Sequence, residues 1–106
     1  MHSRIHVLTI PRIYIDILGN IKSALFLSRC IYWTGVLGEP FHKTYKEWED
    51  DTGLSRVEID TARRECEGLI ITSLKKVDGT PILHYSIEWE NLQEAIYKQE
   101  AEYERA

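Results

Sequence analysis

Two helix starts lie close together in the middle of the chain. Thr44 and Ser55 are each followed three residues later by a glutamate. In this arrangement the hydroxyl accepts a hydrogen bond from a backbone N–H of the first turn, while the carboxylate accepts from the N–H of the capping residue. The first helix can extend only from Tyr45 to about Thr52, because Gly53 favours the left-handed conformation that ends a helix. The spacing therefore predicts a helix-turn-helix.

The second of these helices has one apolar side. Leu54 is expected to fill the corner between the two helices, and apolar residues then recur at three- and four-residue steps at Ile59, Ala62, Cys66 and Leu69. Repeats of this kind form one buried stripe on a helix. The opposite face is polar, so we expect it to be exposed to solvent.

A β-hairpin is predicted to follow the second helix. From Ile70 onward the helical periodicity gives way to alternation, and Asp78-Gly79 is a dipeptide typical of two-residue hairpin turns. The segment from Ile82 to Trp89 is again rich in residues that favour strands. A helix-turn-helix followed by a hairpin, or wing, points towards binding of nucleic acid.

The flanking segments supply the rest of the predicted fold. Residues 5–10 are prone to form a short strand, and Arg12–Leu18 is expected to be a short helix. A central helix is expected from the Asn20 cap to Thr34. It is apolar nearly all round, with Phe26 and Tyr32 expected at the margins of the core. The core residues expected from this helix are Ile21, Ala24, Leu25, Leu27, Cys30, Ile31 and Trp33.

The tail from Asn91 is a helix by propensity, with an apolar strip on one side. The strip consists of Leu92, Ala95, Ile96 and Tyr103. A single small domain grips little DNA and commonly works as a two-fold dimer, so we expect a homodimer through this C-terminal helix. The alternative is that the strip packs back on the domain and the chain end frays.

Four segments of the chain carry a resemblance to a known family. They are ALFLSRCIYWTG (24–35), FHKTYKEWEDDTGLSR (41–56), ARREC (62–66) and GTPILHYSI (79–87). They resemble winged-helix domains of phage, prophage and plasmid replication-initiation proteins and, more loosely, winged-helix transcriptional regulators. Family members usually have leucine at the position of Cys66 and glycine at the position of Ile70. The resemblance implies an α+β winged helix-turn-helix with a three-helix core, a hairpin wing and a C-terminal helix, a recognition helix beginning at Ser55, and double-stranded DNA as the ligand.

The second helix of a helix-turn-helix places its exposed N-terminal half in the major groove, while the helix end and flanking loops contact phosphates. Arg56 can form two hydrogen bonds with guanine O6 and N7, and Arg64 is expected nearer the DNA backbone. The positions expected to contact DNA are Ser55, Arg56, Val57, Asp60, Thr61 and Arg64 on the helix, Lys75 and Lys76 on the wing, and Lys43 and Lys46 at the entry to the first helix. The alternative for each position is an ordinary solvated surface.

Arg63 belongs to a different group. It follows Ile59 by four residues, which places it at the edge of the buried stripe. We expect it to pair with an acidic residue of the preceding helix, that is with Glu47, Asp50 or Asp51, rather than with DNA.

Charge is distributed unevenly along the chain, whose formal net charge is -4. Residues 1–40 carry four basic and two acidic side chains, whereas residues 41–70 carry five basic and eight acidic ones. DNA-binding surfaces are normally basic, because affinity comes largely from neutralising phosphates. An acidic recognition helix and tail therefore leave a second interpretation open, in which the chain binds a protein.

Composition and motifs exclude several classes of protein. The 106 residues suit one small domain, and no apolar run is long enough to span a membrane, so we expect a cytoplasmic protein. Cys30 and Cys66 are expected to be two buried thiols, with a disulfide as the less favoured alternative. There is no P-loop, dinucleotide fingerprint or HExxH motif, and the four histidines lack metal-ligand spacing. Neither catalysis, a metal nor a cofactor is expected.

These observations predict a non-catalytic double-stranded DNA-binding protein of mobile-element type, acting in replication initiation or transcriptional regulation. Residues 1–90 would form the winged-helix domain and residues 91–106 an acidic C-terminal helix. In the alternative, the acidic helices form a protein-interaction module that blocks a basic, nucleic-acid-binding host or phage protein, as a phage-encoded inhibitor would. The two interpretations differ in whether the basic side chains converge on one face.

Overall fold

The protein has an α+β fold in a computed structural model that describes residues 6–106. Its helices in this range are α1 (Arg12–Leu18), α2 (Ile21–Leu37), α3 (Tyr45–Thr52), α4 (Arg56–Glu65) and α5 (Trp89–Arg105). Its strands are β1 (Phe41–His42), β2 (Ile70–Val77) and β3 (Thr80–Ile87), and they form one antiparallel sheet in the order β1-β3-β2. Across residues 6–106, none of the helices combines the length and the apolar composition needed to cross a membrane.

Helices α3 and α4 begin at the two predicted capping boxes. The Thr44 hydroxyl accepts from the Glu47 N–H at 3.1 Å, and the Glu47 carboxylate accepts from the Thr44 N–H at 2.9 Å. The same reciprocal pair joins Ser55 and Glu58 at 3.2 and 2.9 Å. Gly53 ends α3 with φ of 77°, as predicted, in a conformation that residues with a side chain rarely adopt.

Replacing Ser55 by alanine is expected to lower the free energy of unfolding by about 0.5–2 kcal/mol, because the Glu58 N–H loses its acceptor at the start of α4. Glycine at the same position should cost only a few tenths of a kcal/mol, since it is a tolerated cap. Urea unfolding of the two variants measures the difference. Equal stability of Ser55→Ala and the wild type would show that the cap does not hold the start of α4.

The hairpin is also confirmed, with one correction at its end. Asp78 and Gly79 have φ of 49° and 82° and form a two-residue turn between β2 and β3. The strand expected to reach Trp89 ends at Ile87, because Ile87 pairs with Ile70, the first residue of β2. Beyond that pair β3 has no strand to bond, and Trp89 begins α5 instead.

The core centres on aromatic rings contributed by α2, α3 and the sheet. The Phe26 ring lies 4.9 Å from Trp48 and 6.0 Å from Tyr85 between centroids, and Phe41 stacks on Tyr85 at 5.4 Å. Phe26 is fully buried rather than at the margin, so that expectation is wrong. Ile21, expected in the core, is 61% exposed, because it lies on the opposite side of α2 from the face that packs against these rings.

Other parts of the predicted core agree with the structure. Ala24, Leu25, Leu27, Leu54, Ile59 and Ala62 are buried. Cys30 and Cys66 are buried free thiols, as predicted. Burial raises the pKa of Cys66 to about 12 and raises that of Cys30 as well, so both thiols are protonated at neutral pH.

The N-terminal segment does not form the predicted strand in the part that the structure describes. Ile5 lies outside the described residues, and residues 6–10 have no regular secondary structure. Side chains hold this segment in place instead: the Ser28 hydroxyl donates to the Thr9 carbonyl at 2.9 Å, and Leu8 and Ile10 pack against the core.

Helix α5 packs against α1 on one side. Leu92 is buried, Ile96 is partly buried against the core, and the Tyr103 hydroxyl donates to the Asp16 carboxylate. Part of the strip expected to mediate dimerisation is therefore covered within one chain. The domain boundary expected after residue 90 lies inside the first turn of α5.

Candidate nucleic-acid interface

Helix α4 has a buried face, an opposite outward face and two flanks between them. Ile59 and Ala62 are buried against the core. The opposite face carries Val57, which is 74% exposed, together with Thr61 and Arg64. Because a helix turns 100° per residue, all other side chains of α4 lie on its two flanks.

The acidic side chains of α4 lie on these flanks and bind neighbouring residues. Glu58 pairs with the Lys22 ammonium from α2, in addition to its capping role. Glu65 accepts from the Ser23 hydroxyl at 2.6 Å and from the Asn20 amide at 3.0 Å. The outward face of α4 is therefore free of these carboxylates.

Asp60 is held on the other flank. Its carboxylate accepts from the Tyr45 hydroxyl at 2.5 Å and from the Arg63 guanidinium at 3.0 Å. The hydrogen bond from Tyr45 holds the pKa of Asp60 below its ordinary value. Arg63 was expected to pair with an acid of α3, and that expectation is wrong, because Asp60 lies one turn before it on the same helix.

The pKa of Glu58 reflects its partners. The hydrogen bond from Lys22, followed by that from the Ser55 backbone N–H, lowers this pKa to about 2. Glu58 is thus ionised at neutral pH, but its charge is compensated by a cation from α2 and by the start of α4.

Basic side chains divide into two groups according to their partners. Within residues 6–106, seven of them form ion pairs with carboxylates: Arg12, Lys22, Arg29, Lys46, Arg63, Lys98 and Arg105. In the same range, the basic residues without such a pair are Lys43, Arg56, Arg64, Lys75 and Lys76. All five belong to the set that the sequence predicts to contact DNA.

Four of these five side chains are accessible. Arg56, Arg64, Lys75 and Lys76 are exposed. The guanidinium of Arg56 lies 4.4 Å from the centroid of the Tyr45 ring. That of Arg64 donates to the Thr61 hydroxyl at 3.3 Å.

Lys43 and Lys46 occupy different environments from those expected. Lys43 is 9% exposed, and its Nζ lies 3.9 Å from the centroid of Trp33 and 5.6 Å from that of Trp48. Lys46 is exposed but forms ion pairs with Asp50 at 3.0 Å and with Glu49 at 3.8 Å. Neither lysine is therefore both exposed and unpaired.

The start of α4 and the hairpin face each other across a groove. Residues from both elements line one cavity, including Arg56 from α4 and Leu74 and Pro81 from the hairpin. Pro81 pairs with Lys76 across the hairpin, so Lys76 stands at the border of this groove. The groove brings one unpaired cation of α4, Arg56, and one of the hairpin, Lys76, to neighbouring surfaces. Lys75 directly precedes Lys76 in the alternation of β2 and lies on the other face of the hairpin, and Arg64 lies on the outward face of α4.

Sequence reasoning missed the side chains that bind Glu58 and Glu65 of α4. Lys22, Asn20 and Ser23 come from the N-cap and first turn of α2 and are more than one helix away in the sequence, so no local pattern indicates their contacts. The steps of four and three residues between Arg56, Asp60 and Arg63 place these three side chains on one flank of α4. This spacing could have predicted the contact between Arg63 and Asp60.

Comparison of the chain with protein-family models, with curated proteins and with solved structures finds no match. Within residues 6–106, no group of three or more histidine, cysteine or carboxylate side chains is arranged to hold a metal ion.

Proposed function

We propose that the chain is a winged helix-turn-helix protein that binds double-stranded DNA without catalysis, in the replication initiation or transcriptional regulation of a mobile element. In this proposal α3 and α4 are the helix-turn-helix, α4 is the recognition helix, and the hairpin β2–β3 is the wing. The observation that carries the proposal is the distribution of unpaired cations: within residues 6–106, the exposed basic side chains without a carboxylate partner are Arg56, Arg64, Lys75 and Lys76.

The outward face of α4 has the chemistry needed in the major groove. Arg64 can donate to phosphates or base edges, Thr61 can donate or accept, and Val57 offers an apolar contact for a thymine methyl group. Arg56, stacked on Tyr45, keeps its N–H edge free to bind guanine or phosphate. The acids that would repel DNA are held on the flanks by their intrachain partners.

The two wing lysines provide a direct test of DNA binding. The double variant Lys75→Ala, Lys76→Ala should weaken binding uniformly across duplex sequences, because lysines on a wing contact phosphates. The plot of log affinity against log salt should become shallower by about one unit per lost phosphate contact. Fluorescence anisotropy of a labelled duplex at several salt concentrations measures both quantities.

The single variant Lys98→Ala is the control for this experiment. Lys98 is exposed on α5 and paired with Glu94 at 3.1 Å, so its removal should leave the salt dependence unchanged. An unchanged slope in the wing variant, or a loss confined to one duplex sequence, would contradict the phosphate role of the wing.

A second candidate function is supported by the outer side of α5. Trp89 is 47% exposed and Tyr97 is 63% exposed, and Glu90 and Glu94 border the shallow surface that they form. Exposed aromatic rings beside carboxylates suit a basic partner. In this alternative the protein is an interaction module that binds a basic host or phage protein. Failure to bind any duplex at low salt would favour it over DNA binding.

The homodimer through the C-terminal helix remains a prediction. Leu92 is buried and Ala95 and Ile96 are partly buried within the chain, whereas Tyr103 is 45% exposed. Sedimentation velocity at tens of micromolar protein distinguishes a monomer from a dimer. A monomer at this concentration would contradict the dimer.

A further inference from the structure

A cavity lies between the entry to α3, one flank of α4 and the hairpin. Its volume is about 440 Å³, which is within the range of small-molecule sites in proteins. Three basic residues line it, Lys43, Arg56 and Arg63, and no acidic residue is among the lining side chains that the structure describes. The cavity is thus a cationic space inside a chain of net charge -4.

The two arginines that line this space differ in their partners. Within residues 6–106, Arg56 has neither a carboxylate nor another hydrogen-bond acceptor, and its guanidinium is held in position by the Tyr45 ring. Arg63 uses one terminal nitrogen for Asp60 at 3.0 Å, while its Nε is buried without a hydrogen-bond partner. Because this Nε is inaccessible, a ligand in the cavity would contact Arg63 through its terminal nitrogens.

Lys43 differs from the arginines. Its ammonium lies over the Trp33 ring, so we expect it to contribute positive potential rather than a direct contact. Tyr85 also lines the cavity. Burial raises the pKa of Tyr85 to about 12, so its hydroxyl stays protonated and can donate to an anionic oxygen.

The hairpin wall is mostly apolar. Leu74, Pro81, Ile82 and Leu83 form most of it, and Thr44 and Thr80 also line the cavity. A bare phosphate would lose its hydration against the four apolar side chains without gaining a polar partner from them. A ligand that carries both an anionic group and an apolar body can bind the arginines with the first and pack against the hairpin with the second.

We propose that this cavity binds a small organic carboxylate with an aromatic body. Its carboxylate lies between the guanidinium groups of Arg56 and Arg63, and the body packs against Leu74, Pro81 and Leu83. The apolar body then covers the exposed part of Leu74.

Occupation of the cavity has a consequence for DNA. Arg56 belongs both to this site and to the proposed DNA interface, so a bound carboxylate competes with DNA for the same guanidinium. This consequence rests on the proposed function, whereas binding of the carboxylate does not.

Calorimetric titration of the full chain with 2-naphthoate, in the absence of DNA, tests the site. The neutral analogue 2-naphthalenemethanol and inorganic phosphate serve as matched probes that lack the charge and the apolar body, respectively. We expect 2-naphthoate to bind at least about tenfold more tightly than either probe. The neutral analogue cannot accept charge-assisted hydrogen bonds from the arginines, and phosphate has no apolar body to pack against the hairpin. Equal affinity for the neutral analogue, or no binding of 2-naphthoate, would overturn the proposal.

Three variants, of which one is a control, locate the binding site. Arg56→Gln should weaken 2-naphthoate binding by about tenfold or more, whereas Arg64→Gln, on the outward face of the same helix, should leave it unchanged. Leu74→Trp fills the cavity from an exposed position and should abolish binding, with the fold checked by circular dichroism. Wild-type affinity in Arg56→Gln or in folded Leu74→Trp would show that 2-naphthoate binds elsewhere.

Displacement of a labelled duplex by 2-naphthoate tests the competition separately. We expect the apparent Kd of the duplex to rise in the wild type. Binding of 2-naphthoate by a chain that binds no duplex would support the site and contradict the proposed function. Simultaneous binding of both ligands without mutual effect would overturn the shared use of Arg56.

Discussion

Asp51→Ala should lower the free energy of unfolding by about 3–5 kcal/mol, the usual cost of leaving a buried charge without its partner. The Asp51 side chain is 6% exposed, and its carboxylate accepts from Arg29 at 2.8 and 2.9 Å and from the Trp33 indole at 3.0 Å. Arg29 is itself only 12% exposed. Without Asp51, a buried guanidinium between α2 and α3 loses its counter-ion, and urea unfolding measures the loss.

The neighbouring residue provides a matched control. Asp50 is 61% exposed and pairs with Lys46 on the surface. Exposed ion pairs contribute at most about 1 kcal/mol, so Asp50→Ala should change stability by no more than that. A similar loss in the two variants would show that Asp51 owes its effect to helix propensity and not to the buried pair.

The same pair makes stability depend on pH. Burial alone would raise the pKa of Asp51, but the hydrogen bonds from Arg29 and Trp33 outweigh it, and the pKa lies below its ordinary value. A carboxyl with a lowered folded-state pKa stabilises the fold above its unfolded pKa of about 4 and loses that contribution as the pH falls through the folded-state value. The stability of Asp51→Ala should therefore fall less steeply than that of the wild type below about pH 4. Parallel acid unfolding curves would contradict this role.

Local signals explain why the centre of the fold could be predicted from the sequence. Capping boxes at Thr44 and Ser55, with Gly53 between the helices, place the starts of α3 and α4 and the end of α3. The second helix was expected to continue to about Leu69, and that expectation is wrong, because α4 ends at Glu65. The Asp78-Gly79 turn fixes the register of the hairpin. Each of these signals acts within a few residues, so no tertiary contact has to be known.

Features that depend on tertiary contacts were predicted less well. Helix α2 is apolar nearly all round, so periodicity alone did not show that Phe26 faces the core and Ile21 faces outward. The end of β3 is set by the start of β2, which lies far from Trp89 in the sequence. Arg63 binds Asp60 of its own helix, whereas Asp51 binds Arg29 of α2, and the second pair depends on how α2 packs against α3.

In the candidate site, too, the features set by local sequence could be predicted and those set by tertiary contacts could not. The outward positions of α4 follow from helical periodicity, which identifies Val57, Thr61 and Arg64. The pairing of Glu58 with Lys22 and the hydrogen bonds of Glu65 to Asn20 and Ser23 do not, since they require the packing of α2 against α4. These contacts and that of Asp60 with Tyr45 keep the carboxylates of α4 on its flanks and off its outward face.

The largest effect on DNA binding is expected from the double variant Arg56→Gln, Arg64→Gln. Each arginine is exposed, and within residues 6–106 each lacks a carboxylate partner, so removing it costs no ion pair in the fold. A single arginine that contacts a base edge contributes about 1–3 kcal/mol. If the two contacts are independent, the variant should lose about 2–6 kcal/mol, or from about thirtyfold to about twenty-thousandfold in affinity.

The double variant Lys98→Gln, Arg105→Gln separates local contacts from net charge. It also removes two positive charges, but from α5, where Lys98 pairs with Glu94 and Arg105 pairs with Glu102. On a duplex selected from a random pool, this variant should retain its affinity to within about threefold at physiological salt, because charges farther than about 8 Å from the DNA are screened. Equal losses in the two double variants would mean that only net charge matters, and the assignment of α4 as the recognition helix would then be wrong.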